Sequence, residues 1–194
     1  MNFPPISDKI KNELKSLGLI IQKRNSIYDR FRNRLIFPIR NINGDVLGFG
    51  ARTMDDNLKP KYINSPESKI FSKKNELYGI YEAVINKKNT YVIIVEGYLD
   101  VIALHKYNIT NVVAILGTSF NKNHLKLLKT SYDKIVFCFD GDRAGQQASL
   151  RAAYTCLSYI NLNIFIGFVL LPKTHDPDSY INTFSEEKFI SKIN

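Results

Sequence analysis

Residues 91–108 read YVIIVEGYLDVIALHKYN, in which an apolar run ends in Glu96 and is followed by a segment with helical spacing. Three further apolar runs come later, with helical segments between them. The runs are NVVAIL (111–116), KIVFCF (134–139) and IFIGFVLL (164–171), and the helical segments are VIALHKYN (101–108), HLKLLKTSY (124–132) and AGQQASLRAAYTCLSYI (144–160). Continuous apolar runs are typical of strands buried on both faces. Their alternation with helices predicts an α/β fold with a parallel sheet flanked by helices.

The preceding part of the chain has a different pattern. Residues 9–17 have helical spacing before Gly18, and residues 76–86 predict a second helix. Between them, the strand-like runs RLIFPIRNI (34–42) and VLGFGART (46–53) flank Asn43-Gly44-Asp45, a turn signal that favours a β-hairpin. We therefore predict two domains: a mixed α+β basic subdomain over residues 1–86, and a parallel-sheet subdomain with a following helical segment over residues 87–194.

Composition excludes several classes of protein. The chain has 194 residues, of which 44% are hydrophobic and 23% charged, as in an ordinary globular protein. No apolar run approaches the ~18–20 residues that span a bilayer, and the first residues lack the apolar segment of a secretory signal. Two cysteines and three histidines, none close together in sequence, argue against a zinc site. We expect a cytoplasmic protein with reduced cysteines and no membrane partner.

The charge is distributed unevenly. Residues 1–80 carry 15 basic and 8 acidic side chains, whereas residues 81–194 carry 12 and 10. A basic segment indicates a surface for a polyanion such as nucleic acid. Compositional bias explains part of the excess, because the chain has 19 Lys and 19 Asn, but four of its eight arginines lie within residues 30–40. Arg30, Arg32 and Arg34 alternate, and they could contact nucleic acid or pack against nearby carboxylates.

Acidic residues follow three of the apolar runs. Glu96 ends the first, Asp140 and Asp142 follow the third in FDGD, and Asp176 and Asp178 follow the fourth in HDPD. The carboxyl ends of parallel strands meet at one edge of a sheet, so these five carboxylates should gather there. Their mutual repulsion favours a hard divalent cation such as Mg²⁺. Individually they have structural alternatives: a solvated strand end for Glu96, a helix cap for Asp142 and a turn for Asp-Pro-Asp.

The segments EGYLD (96–100), FDGD (139–142) and DPD (176–178), in this order after apolar runs, resemble a Toprim domain. Upstream, four segments resemble the RNA-polymerase domain of DnaG-like bacterial DNA primases. These are YDRFRNRLIFPIRN (28–41), GFGAR (48–52), KPKYINSPES (59–68) and IFSKKNELYGIYEA (70–83). The resemblance runs from about Leu17 to the C-terminus, and Ala51 stands where the family more usually has glycine.

The resemblance implies roles for individual residues. It implies that Glu96, Asp140 and Asp142 are catalytic and, with Asp176 and Asp178, bind the metal, which would be Mg²⁺ with Mn²⁺ as a substitute and no zinc. Further residues are implied to line a groove for nucleotide and template: Arg52, Lys61, Tyr62, Asn64 and Lys73. Tyr62 could instead be a packing residue at a strand edge. Asp100, one helical turn after Glu96, is expected to support the site, and His175 is given no role.

The activity that the resemblance implies is the synthesis of short RNA primers during DNA replication. The partners would be a single-stranded DNA template, ribonucleoside triphosphates and the RNA primer product. Family members also carry an N-terminal zinc-binding module, for which this chain has no cysteines, and a helical domain that binds the replicative helicase. We expect that domain to lie outside this chain, which would be a trimmed catalytic core. Two alternatives remain: a Toprim nuclease or topoisomerase fragment, and a non-catalytic nucleic-acid-binding Toprim scaffold.

Overall fold

The computed structural model describes residues 6–24, 26–55, 57–159 and 163–193, and the chain divides into two compact units. The first unit comprises Met1–Ile39 and Val46–Ser72, and the second comprises Arg40–Asp45 and Lys73–Asn194. Within the described residues, no helix has both the length and the apolar character that crossing a membrane requires.

The first unit begins with helix α1 (Asp8–Ser16), as the spacing predicts. The Ser7 side chain accepts a hydrogen bond from the amide of Ile10 and caps its start. Gly18 follows the helix with a φ of +68°, and a Cβ there would lie 2.3 Å from the ring of Pro66. A short antiparallel hairpin, β1 (Ile20–Lys23) and β2 (Ser26–Asp29), comes next. The sequence pattern did not indicate this hairpin.

A three-stranded sheet follows, in the order β3-β4-β5. Its strands are β3 (Arg34–Arg40), β4 (Val46–Thr53) and β5 (Tyr62–Asn64), of which β4 and β5 pair antiparallel. The predicted turn between β3 and β4 is confirmed, because the Asn41 side chain accepts hydrogen bonds from the amides of Asn43 and Asp45. Gly44 in this turn has a φ of +95°, a conformation that glycine adopts without strain.

The second unit is built on a four-stranded sheet in the order β7-β6-β8-β9, with every pair parallel. The predicted α/β fold is therefore confirmed. The strands are β6 (Tyr91–Val95), β7 (Val112–Ala114), β8 (Lys134–Cys138) and β9 (Phe165–Val169). The helices are α2 (Ile80–Ile85), α3 (Tyr98–Lys106), α4 (Lys122–Lys129), α5 (Arg143–Leu157), α6 (Pro177–Phe184) and α7 (Glu186–Ile193).

Successive residues of the central strands enter two separate apolar clusters. In β6, Val92 and Ile94 pack in one cluster, and Ile93 and Val95 in the other. The neighbouring strand β8 divides in the same way. This two-sided burial explains why the strands appear in the sequence as continuous apolar runs. It also places their polar residues at the strand ends.

Helix α2 differs from its prediction at its start. The sequence favoured a helix from residue 76, but the helix begins at Ile80, after Gly79 with a φ of +83°. Tyr78 instead forms an antiparallel bridge with Ala114. Leu77, Ile80 and Ala83 pack in the same cluster as Val92, so residues 73–86 belong to the second compact unit.

Two boundaries predicted from the sequence remain untested: one between domains and one at the end of a helix. The domain boundary between residues 86 and 87 stays a prediction; the two compact units divide earlier, between Ser72 and Lys73. The helix predicted over residues 144–160 is present as α5, but its predicted end at Ile160 lies outside the described residues.

Candidate active site

Glu96 directly follows strand β6, and Asp140 is the second residue after the neighbouring strand β8. The backbone amide of Asp140 donates a hydrogen bond of 3.2 Å to Oε1 of Glu96. Oδ1 of Asp140 is buried and has no hydrogen-bond partner among the described residues. A buried carboxylate oxygen without a protein donor is satisfied by a proton, a water molecule or a cation.

The environment of these carboxylates favours their neutral forms. Burial raises the pKa of Asp140 to about 7, and the charges of Glu96, Asp176 and Asp142 act in the same direction. Burial also raises the pKa of Glu96, while the amide of Asp140 opposes this shift. Asp100 in α3 has a pKa raised to about 7, again mainly by burial, and it accepts a hydrogen bond from the Gly97 amide. The acids therefore share one electrostatic environment, as their strand positions predict.

Two of the predicted metal ligands also cap helices. Oδ1 of Asp142 accepts a hydrogen bond of 2.8 Å from the amide of Gly145 at the start of α5. Oδ1 of Asp176 accepts one of 2.7 Å from the amide of Ser179 at the start of α6. The capping alternative for Asp142 is thus confirmed. Asp178, in the first turn of α6, accepts a hydrogen bond of 2.6 Å from the side chain of Asn182.

The donors at this edge fit a hard cation. All are carboxylate oxygens, and Mg²⁺ binds through one or two carboxylates with its remaining positions taken by water and phosphate. Glu96 and Asp140 supply such a pair, and Oδ1 of Asp140 is the buried oxygen that a cation would satisfy. Within the four described ranges, no three His, Cys, Asp or Glu side chains form a group able to enclose a metal ion, zinc included.

Glycines shape the loop that carries the aspartates. A Cβ at Gly141 would lie 2.0 Å from the carbonyl oxygen of Pro172, and one at Gly145 would lie 2.1 Å from that of Asp140. The Gly141 amide also donates to the carbonyl of His175. The chain between Asp140 and Asp142 is therefore packed against the segment that leads to Asp176.

The residues expected to line a groove fall into two places. Arg52 of β4 lies directly opposite Tyr62 of β5, and Asn64 is two residues further along β5, so these three residues share one face of the sheet. Lys61 is exposed and precedes Tyr62. Nε of Arg52 is buried and has no hydrogen-bond partner among the described residues. Lys73 belongs to the second unit.

The clustered arginines bind mostly to backbone and aromatic groups. Arg30 donates to the carbonyl of Gly18, and Arg34 donates to the carbonyls of Pro60 and Lys61. The guanidinium of Arg32 lies 4.3 Å from the centre of the Tyr28 ring. Arg30 and Arg34 thus donate to carbonyl oxygens, and both alternatives for these three residues, contact with nucleic acid and packing against carboxylates, stay predictions.

A further group of residues lies beside Glu96, and the sequence pattern did not indicate it. Residues 117–120 follow β7, and together with Arg151 of α5 they line a cavity that contains Glu96. The available signal was the Gly-Thr-Ser sequence directly after an apolar run, since such loops lie at the ligand-binding edge of a parallel sheet.

Comparison with known families identifies both parts of the chain. Residues 6–84 match the model of the DNA primase catalytic core, N-terminal domain, and residues 90–166 match the Toprim domain. The chain thus combines a region similar to the N-terminal domain of the DNA primase catalytic core with a Toprim domain. The resemblance inferred from the motifs is therefore confirmed, and the Toprim domain is in general a Mg²⁺-binding fold.

Individual primases and their structures agree with this assignment. The chain is 46% identical over 185 residues to the DNA primase of Legionella pneumophila, covering 94% of this chain and 32% of that protein. It is 48% identical over 181 residues to the primase of Clostridium acetobutylicum, covering 93% and 30%. A DNA primase domain from Pseudomonas aeruginosa superposes with a TM-score of 0.91 at 40% identity, covering 96% of this chain and 59% of that one. The chain thus spans about a third of the length of these curated relatives.

A further solved relative is a DnaG primase catalytic domain bound to single-stranded DNA. It superposes with a TM-score of 0.90 at 39% identity, covering 96% of this chain and 59% of that one.

Proposed function

We propose that this chain is the catalytic core of a DNA primase, which joins ribonucleoside triphosphates on a single-stranded DNA template into a short RNA primer during DNA replication. The observation that carries the proposal is the Glu96–Asp140 pair at the carboxyl edge of a Toprim sheet, in a chain whose first part matches the primase core. A nuclease or topoisomerase fragment has no comparable support, because the primase match includes residues 6–84.

We propose Glu96 and Asp140 as the principal ligands of Mg²⁺, for which Mn²⁺ could substitute. Asp142 and Asp176 each keep one oxygen that is not used in capping, and Asp178 completes the acidic edge. When bound, the ion would activate the attacking 3′-hydroxyl and stabilise charge on the pyrophosphate leaving group.

The protein's own groups would position this chemistry. The Asp140 amide orients Glu96, and the buried Asp100 carboxyl fixes the Gly97 amide that follows Glu96. In the proposed groove, the cations neutralise backbone phosphates and Tyr62 stacks on a base, while Asn64 offers hydrogen bonds. The proposed cations are Arg52 and Lys61 in the first unit and Lys73 in the second.

The proposed partners follow from the reaction. They are single-stranded DNA, as in the ssDNA-bound relative, together with ribonucleoside triphosphates and the RNA product. A replicative helicase would bind through a domain outside this chain. We place the reaction in the cytoplasm, where bacterial replication takes place, and assign no membrane partner.

The test is incorporation of a labelled ribonucleotide on single-stranded DNA with and without Mg²⁺. We expect incorporation only with the metal, and a loss of at least a hundredfold in Glu96→Gln, because the variant loses a charged metal ligand. Glu187→Gln, which removes an exposed carboxylate from α7, serves as the matched control and should keep full activity. Full activity of Glu96→Gln at subsaturating Mg²⁺ would contradict the assignment.

A further inference from the structure

A cavity of about 410 Å³ opens beside Glu96 on the side of α5. We call it the Arg151 cavity. It is lined by Glu96, the loop 117–120, Ala148 and Arg151, together with Ile115 and Phe139. Arg151 is exposed, and in the described parts of the chain its guanidinium makes no ion pair within 4 Å and no hydrogen bond. A positive group with unused donors therefore shares a cavity with the proposed metal ligand.

The α5 side of the cavity lies beside the end of the loop. Ala148, Arg151 and Thr155 share one face of α5. The Thr155 hydroxyl donates to the carbonyl of Arg151 at 3.0 Å and lies 3.5 Å from the carbonyl oxygen of Phe120. The face that carries Arg151 is therefore next to the residue that ends the loop.

The other side of the same loop contacts a segment of the proposed groove. The Thr118 hydroxyl donates to the carbonyl of Lys73 at 3.5 Å, and the Asn121 side chain donates to the carbonyl of Lys74 at 3.0 Å. The loop thus lies between the backbone of a proposed groove residue and the cavity that contains Glu96.

The chemistry of the lining suits an oxyanion. A guanidinium offers five donors in a planar fork that matches phosphate oxygens, and the exposed Ser119 adds a hydroxyl. A cation held by Glu96 and Asp140 would offset the repulsion between their carboxylates and an anionic ligand.

We propose that the Arg151 cavity binds a phosphate group and that the Arg151 guanidinium contacts it directly. The inference rests on the proposed function and deepens it, since both phosphate sources in that reaction are substrates: the triphosphate of the incoming nucleotide and the backbone of the primed template.

Equilibrium binding separates the two sources. The probes are a labelled ribonucleoside triphosphate and a labelled RNA-primed DNA template, each measured with and without Mg²⁺. The variants are Arg151→Ala and Arg151→Lys, with Lys126→Ala as a control that removes an exposed charge from α4. We expect Arg151→Ala to weaken binding of one probe roughly tenfold or more, as for a lost charge-assisted contact. Arg151→Lys should be intermediate, because lysine keeps the charge but not the fork.

Each outcome has a defined meaning. Weaker nucleotide binding supports the proposal with the triphosphate as the ligand, and weaker template binding supports it with a backbone phosphate. If Arg151→Ala matches Lys126→Ala for both probes, the proposal is overturned. If Arg151→Ala weakens binding but the unaltered chain incorporates no nucleotide, the phosphate site stands and the proposed function fails. Circular dichroism spectra of all variants verify that the fold is retained.

Discussion

The backbone amide of Asp140 donates to Oε1 of Glu96, which joins the ends of two neighbouring strands. The donor is a main-chain group, so a change in the Asp140 side chain leaves this contact in place. Glu96 is therefore oriented by the sheet itself. The charge at residue 140 can be removed without disturbing that orientation, which makes the metal proposal testable by stability alone.

Asp140→Asn should abolish most of the stabilisation by Mg²⁺. If the unaltered chain binds the ion, a concentration 100 times the Kd raises the free energy of unfolding by about 2.7 kcal/mol. The variant keeps the shape of the side chain but loses its negative charge. Thermal melts over a Mg²⁺ series measure the difference, with Asp133→Asn, at an exposed position, as the control. An equal rise of Tm in Asp140→Asn and the unaltered chain would refute the role of Asp140.

Asp100→Asn should change how stability depends on pH in the absence of metal. The pKa of Asp100 is raised from 3.8 to about 7, so the folded chain binds its proton more tightly than the unfolded chain does. Its contribution to stability is complete below pH 4 and is lost as the pH rises from about 4 to 7.

The variant keeps an acceptor for the Gly97 amide and carries no charge. It should therefore gain on the order of 2 kcal/mol over the parent at pH 8, and little at pH 4. Urea unfolding at both pH values is the measurement. An equal gain in the free energy of unfolding at pH 4 and pH 8 would show that Asp100 does not titrate between these pH values.

Gly141→Ala should be severely destabilising. Its Cβ would lie 2.0 Å from the carbonyl oxygen of Pro172, a backbone atom that cannot rotate away. We expect a loss of about 3 kcal/mol or more, with loss of the acidic edge. Gly167→Ala is the control, because its Cβ would lie 3.6 Å from the nearest side-chain atom, an ordinary contact. Urea unfolding measures the stability of both variants. Similar unfolding midpoints for Gly141→Ala and Gly167→Ala would contradict the close approach of Gly141 to the carbonyl of Pro172.

Arg52→Ala should weaken single-stranded DNA binding and flatten its salt dependence. Each phosphate contact contributes about 0.7 to the slope of log K against log salt for single strands, so the variant should lose somewhat less than one unit. Lys9→Ala removes an exposed charge of α1 from the same unit and should leave the slope unchanged. Fluorescence anisotropy over a salt series is the measurement. Equal slopes in all three proteins would place the groove elsewhere.

Tyr132→Phe should cost about 1–2 kcal/mol of stability. The hydroxyl of Tyr132, a buried residue, donates to the carbonyl of Ala83 at 2.7 Å, near the end of α2. Without it, that carbonyl is left buried and unpaired. Tyr154→Phe, on the exposed side of α5, should change stability by less than about 0.5 kcal/mol. Chemical denaturation measures the free energy of unfolding of both variants. Equal unfolding midpoints for Tyr132→Phe and Tyr154→Phe would show that the Tyr132 hydroxyl does not stabilise the fold.

The parallel sheet could be predicted because strands that are buried on both faces appear in the sequence as continuous apolar runs. Ile93 and Ile94 enter opposite clusters, and both must be apolar. The proximity of Glu96 and Asp140 followed from the same reasoning, since both residues come just after neighbouring parallel strands. These are local patterns combined with one general rule about sheet edges.

Other features depend on contacts that no local pattern records. Helix α2 starts late because Tyr78 pairs with Ala114, which lies in a distant strand. Arg30 contacts the carbonyl of Gly18, an acceptor with no sequence signature. The four-residue strands β1 and β2 have largely exposed side chains, so they lack the apolar alternation by which strands are found.

The capping geometry of Asp142 and Asp176 has a consequence for the metal-free protein. The N-terminus of a helix carries a partial positive charge from its aligned peptide dipoles, and a carboxylate placed there is stabilised. Helices α5 and α6 thus act as built-in counter-charges for two of the acids at the edge. If the proposed cation binds at this edge, we therefore expect chelation to empty the site while the scaffold around it remains.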